Sequence, residues 1–224
     1  NGSGKSTFLK LINRSIYPKV TKDSSFKLFN KENINIWDIR KKIGFLFKEM
    51  EERVNKGIKT YDVILSGFAG LYNSRKSSLL TTTEKDSIKD LIIELGLSTI
   101  INLEFDSLSD GQKRISLLAR ALVYKPKLIV LDEPFSNLDI KSNYLLMRIL
   151  NKLMSQSTNL IYVTHSLDSI LPRINRVILF KDGKIINDGT PNNIINSKVI
   201  SDLYDTSINV INHKNYWRTI PITD

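Results

Sequence analysis

The sequence predicts an α/β fold: a mainly parallel sheet core with an inserted α-helical subdomain. Three observations predict it. Two continuous apolar runs, KLIVLD at 127–132 and NLIYVT at 159–164, have the composition of parallel strands covered on both faces. Strand and helix signals alternate towards both ends of the chain. The middle, from about residue 49 to 108, carries helical patterns without a clear strand.

Each element follows from local pattern. A helix is expected over 6–14, after the glycines at the start. SFKLF at 25–29 and KIGFLF at 42–47 read as strands. A helix over 83–95 starts on a threonine cap and sets Ile88, Leu91, Ile92 and Leu95 on one face. The helix over 111–124 does the same with Ile115, Leu118, Ala119 and Leu122, and another helix covers 143–154. The segment 176–188 places Asp182-Gly183 between two apolar runs, the mark of a hairpin. The last stretch, SINVINHKNYWRTIPITD, reads as a short β-like tail. The resulting division is a discontinuous α/β core of 1–48 and 109–205, a helical subdomain of 49–108, and a tail of 206–224.

Composition limits the function. At 224 residues and 41% hydrophobic, the chain is large enough for one substantial domain with a real core. It has no cysteine, which excludes disulfides, zinc–thiolate sites and Cys nucleophiles and fits an intracellular home. The apolar runs fall well short of the roughly 18 residues that cross a bilayer. A net charge of +10 fits nucleic acid, an anionic membrane or an acidic partner. The lysines are scattered, however, and the densest group is Arg40-Lys41-Lys42, so no nucleic acid is expected.

The chain opens NGSGKST. A phosphate-binding loop reads G-x-x-x-x-G-K-[ST], and Gly4-Lys5-Ser6 supply its end, with Asn1, Gly2 and Ser3 just before. The first glycine of that pattern would fall two places before Asn1, so the sequence is expected to be clipped inside its own loop. Glycines let backbone N–H groups converge on phosphate oxygens without side chains intervening. Lys5 would reach the β- and γ-phosphates, Ser6 would offer its hydroxyl to Mg²⁺, and Thr7 would sit near the α-phosphate. By itself the stretch also reads as a flexible Gly/Ser terminus before a helix. LIVLDEP adds a strand ending in two carboxylates. Asp132 is placed to hold Mg²⁺ through water, and Glu133 to polarise an attacking water. A strand ending in a polar turn would explain these residues, but not their pairing with the loop.

SLSDGQKRISLLARALVYKPKLIVLDEPFSNLD closely resembles the signature-to-Walker-B block of ATP-binding-cassette (ABC) ATPases, a phosphate-loop NTPase family. The family signature is L-S-G-G-Q; here it is Leu108-Ser109-Asp110-Gly111-Gln112. Ser136-Asn137-Leu138-Asp139 resembles the D-loop, His165 in VTHS the switch histidine, and FKDGKIINDGTP the hairpin that follows. The resemblance spans nearly the whole chain, with every motif in family order. It implies two subunits dimerised head to tail around two ATP molecules. The phosphate loop of one copy would face Ser109, Gly111 and Gln112 of the other, with Asp139 signalling across the interface. His165 would hydrogen-bond the γ-phosphate and help hold Glu133 and the water. It further implies an ATP-hydrolysing subunit with Mg²⁺, peripheral at the inner face of the cell membrane. A separate integral membrane subunit would meet residues 48–71. The segment after the last hairpin looks like that of importer ATPases, including those for metal chelates.

Two residues depart from the pattern. The family's Gln after the strand IGFLF is replaced by Lys48, with Glu49 beside it; a lysine donates only and cannot ligate Mg²⁺. Asp110 stands in place of the first signature glycine and is expected to face solvent. The adenine-stacking aromatic and the strand feeding the loop would precede Asn1, so this stretch by itself is expected to bind ATP weakly. The alternatives to a transporter motor are a soluble ABC-type ATPase and a non-hydrolysing nucleotide switch. Glu133 and His165 together argue against the last.

Overall fold

The computed structural model describes residues 2–19, 21–22, 25–69 and 80–222. The chain begins with helix α1 (Lys5–Ile12), which leaves a left-handed Gly4 and buries Leu9 and Ile12. Helix α2 (Ile36–Lys42) follows, capped by the Asn35 side chain, which accepts from the Trp37 amide. It runs directly into β1 (Ile43–Leu46).

No strand forms at 25–29. Phe29 and Asn30 both adopt left-handed backbone, and Leu28 pairs with Lys31 across them in a single bridge. The two-residue turn closes before a strand can propagate.

After a 3-10 turn over Lys48–Met50 come α3 (Thr60–Ala69) and α4 (Thr82–Glu94). Thr81 and Glu84 form a reciprocal capping box that starts α4 one residue earlier than the pattern suggests. Helix α5 (Asp110–Leu122) leads to β2 (Leu128–Asp132), α6 (Ile140–Ser155) and β3 (Asn159–Val163). Strands β1, β2 and β3 pair in that order, all parallel, with Val130 opposite both Phe45 and Ile161. The burial of Ile129, Val130 and Leu131 explains why β2 reads as an unbroken apolar run.

Helix α5 is the hub. Ile115, Leu117, Leu118, Ala119 and Leu122 are buried in the main core with residues of β1, β2, α3, α4 and α6. Two glycines bring its neighbours close. A Cβ on Gly44 would lie 2.5 Å from the Ala121 carbonyl oxygen, and one on Gly67 2.4 Å from that of Arg120. Backbone atoms cannot swing aside, so β1 and α3 approach α5 only as glycine allows.

The antiparallel hairpin β4 (Val177–Lys181) and β5 (Lys184–Gly189) turns at Asp182-Gly183. It precedes α7 (Pro191–Ile194), α8 (Ser197–Tyr204) and a second hairpin of β6 (Ile208–His213) and β7 (Tyr216–Pro221). Trp217 of β7 shares a second buried cluster with Ile170, Leu179, Ile194, Ile195 and Ile200. Helices α2, α7 and α8 were not foreseen. Their signals are caps: Asn35, Pro191 in the first turn of α7, and Asn196, which accepts from Val199. No helix among the described residues is long and apolar enough to cross a membrane.

Candidate functional site

Of the expected site residues, the loop before α1, Ser6, Asp132, Glu133 and His165 gather where the parallel strands end, whereas Ser109, Gly111, Gln112 and Asp139 form a second group at the starts of α5 and α6. Gly2 and Gly4 take φ values of 81° and 93°, which only glycine adopts without strain. Gly4 provides no side-chain cap, so the first turn of α1 presents backbone N–H groups to an incoming anion. The Lys5 ammonium donates to Ser3 Oγ at 2.7 Å, folding over the loop. The Ser3 carbonyl accepts from the Gly183 amide at 3.2 Å, which ties the loop to the β4–β5 turn. Thr7 is exposed in the first turn of α1. Asn1 lies outside the described residues.

Ser6 Oγ donates to Asp132 Oδ1 at 3.2 Å, joining α1 to the end of β2. Burial pushes the Asp132 carboxyl above its usual pKa; the Ser6 hydrogen bond and Lys10 work against that rise, while the charges of Glu133 and Glu49 add to it. The donor set is oxygen only, which suits a hard cation. Among the described residues no group of three or more His, Cys, Asp or Glu could cage a metal. Mg²⁺ fits such a site, since it typically takes one or two protein oxygens and completes its shell with water and phosphates.

The raised pKa sets a pH dependence. The folded state holds the Asp132 proton more tightly than the unfolded chain does. Between the ordinary value of 3.8 and the raised folded value, stability should therefore fall as pH rises. Urea unfolding across that window should show a more negative slope in the wild type than in Asp132→Asn. Equal slopes would mean the carboxylate is solvated.

Glu133 is the next residue, in left-handed backbone with φ 47°. Its Oε1 lies 3.1 Å from His165 Nδ1. The histidine sits just past β3 on a loop that sequence reasoning left undescribed. Tyr162 Oη donates to the Ser169 carbonyl and accepts from the Leu171 amide. Thr164 Oγ1 is 2.7 Å from Ser169 Oγ, and Tyr204 Oη donates to the His165 carbonyl at 3.0 Å. Tyr204 comes from α8, so the C-terminal segment helps fix this loop. Aromatic hydroxyls with distant partners leave no local sequence signal.

Ser109 caps α5: its hydroxyl accepts from the Gln112 amide, while Gln112 Oε1 accepts from the Ser109 amide at 3.0 Å. A cap of this type stabilises a helix by about 1 kcal/mol. The Gln112 side chain is thus engaged within its own helix. Asp110 is exposed in the first turn, where a carboxylate suits the helix dipole.

Gly111 is buried, and a Cβ there would lie 2.2 Å from Ser142 Oγ and 2.5 Å from Ser142 Cβ. Asp139 caps α6 by accepting from the Ser142 amide at 2.7 Å and its hydroxyl at 3.1 Å. The backbone hydrogen bond from Ser142 is the main reason its carboxyl stays below the usual range. Within one chain, then, Ser142 joins the signature turn to the Asp139 turn. Its role was not legible, because nothing in the sequence marks which α6 residue faces Gly111.

Lys48 and Glu49 occupy the 3-10 turn after β1. Glu49 pairs with Lys10 at 3.0 Å and with Arg53 at 3.5 Å, and its charge is felt at Asp132. Glu49 therefore bears on the Asp132 site. A 420 Å³ groove beside it is lined by Lys10, Phe47, Glu49, Met50, Arg53 and Arg120, among others.

A family model described as ABC transporter matches residues 1–136. An uncharacterised ABC transporter ATP-binding protein, YmeB of Lactococcus lactis, is 31% identical over 99% of this chain and 85% of its own length. The energy-coupling factor transporter ATP-binding protein EcfA1 of Listeria monocytogenes is 32% identical over 87% of this chain and 67% of its own. Among solved structures, a putative metal-chelate type ABC transporter in an inward-facing conformation superposes with a TM-score of 0.75 at 23% identity. That match covers 100% of this chain and 83% of the other. CbiO1 of Clostridium perfringens, part of an ABC transporter complex cbiONQ, reaches 0.71 at 24%, over 90% of this chain and 78% of the other.

Proposed function

This chain belongs to the ATP-binding proteins of ABC transporters, and on that premise we propose that it hydrolyses ATP with Mg²⁺ to drive a membrane importer through head-to-tail dimerisation. One observation carries the reading. Ser6, Asp132, Glu133 and His165, from three separate parts of the chain, converge with contacts of 3.2 Å and 3.1 Å at the mouth of α1. Mg²⁺, held through Ser6 and Asp132, would neutralise phosphate charge. Gly2 to Thr7 bind the phosphates through backbone amides and Lys5. Glu133 orients a water and takes its proton, and His165 holds the Glu133 carboxylate in place. Ser109 and Gly111 at the start of α5 and Asp139 at the start of α6 form the surface offered to the second copy.

The membrane subunit would dock on the groove beside Glu49, at the inner face of the membrane. The match with proteins named for energy-coupling factor and metal-chelate transporters supports an importer. The test is affinity purification of the full protein from native membranes. Integral membrane proteins are expected to copurify, with ATP hydrolysis that requires a divalent cation and is lost in Lys5→Ala. Salt-sensitive retention of RNA or DNA without a membrane protein would favour a soluble ABC ATPase instead.

A further inference from the structure

The strongest unassigned feature is a buried cation behind the candidate base. Arg114 is only 4% exposed and sits on α5 among Ile115, Leu117 and Leu118. An arginine in such a place is disfavoured unless its charge is answered. Its Nε lies 3.3 Å from Glu51 Oε1, in the segment joining β1 to α3. Neither of those atoms makes an aligned hydrogen bond, so this contact is held by charge rather than direction. The directed bond is elsewhere: Arg114 Nη1 donates to the Glu133 carbonyl at 3.2 Å.

We propose that Arg114 is a positioning residue for Glu133, clamping its peptide so that the carboxylate faces His165; the proposal rests on Glu133 acting on water as described above. Glu133 is in left-handed backbone, a conformation a non-glycine residue keeps only when its surroundings hold it. They hold it at both ends. Its amide donates to the Val163 carbonyl at 3.0 Å. Its carbonyl accepts from Arg114, from Ser136 Oγ at 2.9 Å and from the Ser136 amide at 3.2 Å. With the peptide fixed, the Cα–Cβ direction is set, and Oε1 lies 3.1 Å from His165 Nδ1. Released, the peptide can turn towards ordinary φ and carry the carboxylate off the water. Glu51 supplies the opposite charge that lets a guanidinium stand there at all.

The test compares Arg114→Lys, Ser136→Ala and Glu133→Gln in the full protein with its membrane partner, reading kcat, KM for ATP, ATP affinity and thermal unfolding. Arg114→Lys keeps the charge but loses the fork, and should lower kcat at least tenfold with KM and affinity within twofold. Ser136→Ala removes the other side-chain bond to the same carbonyl, keeps the bond from the Ser136 amide, and does not touch the buried charge. It should lower kcat several-fold with the same split, and it decides the matter if Arg114→Lys does not fold. Wild-type kcat in both, or a loss of ATP affinity that matches the loss of kcat, overturns the proposal. An inactive Glu133→Gln beside a fully active Arg114→Lys overturns the positioning role alone. Wild-type turnover in Glu133→Gln overturns both readings.

Discussion

Glu133→Gln is expected to lower ATP turnover by about 10²- to 10⁴-fold, the usual contribution of a positioned general base. Glutamine has the same shape and fills the same pocket beside His165. It cannot take a proton from water, and its amide donates where the carboxylate only accepts. The phosphate loop, Lys5, Ser6 and Asp132 are untouched, so ATP should still bind. Binding without hydrolysis leaves the γ-phosphate in place, and the two-copy state should accumulate. Light scattering with ATP and Mg²⁺ should report a dimer in the variant and a mixture in the wild type. Wild-type turnover would remove Glu133 from the role, and a variant that stays monomeric with ATP would remove the dimerisation step.

Gly111→Ala is expected to destabilise the fold by about 1–3 kcal/mol, as overpacking a filled interface does, and to reduce turnover as well. The added methyl would lie 2.5 Å from Ser142 Cβ, an atom that moves only with its backbone. Helix α5 or α6 must therefore shift. The Asp139 cap, anchored on the same Ser142, shifts with it. Removing the obstacle should restore what adding the methyl took away. Gly111→Ala with Ser142→Gly should recover stability, apart from the intrinsic penalty of glycine in a helix, whereas Ser142→Ala, which keeps Cβ, should not. Denaturant midpoints measure the first effect and ATPase rates the second. If Gly111→Ala unfolds like the wild type, the two helices are not in contact as described.

Much of this was legible because the signals are local. Two apolar runs bounded by polar turns read as β2 and β3, and both formed within a residue of their expected ends. Helices α4 and α5 formed within two residues of theirs, since a period of 3.6 is visible wherever one side is buried. SFKLF misled because its composition favours a strand, while the left-handed Phe29-Asn30 pair closes a turn within it. Helices α2, α7 and α8 are short, so their caps carried more information than their periodicity did.

The sequence by itself determined the class of fold, the glycine turn that starts α1 and the order of the motifs, because glycines, carboxylates and apolar periods act on near neighbours along the chain. Only the tertiary structure decided that Ser142 fills the space above Gly111, that Tyr204 steadies the His165 loop and that Arg114 grips the Glu133 peptide. The physical reason is range. A side chain's partner across the core is chosen by which helix faces pack together, and that depends on every element at once, whereas a turn or a cap is settled within four residues.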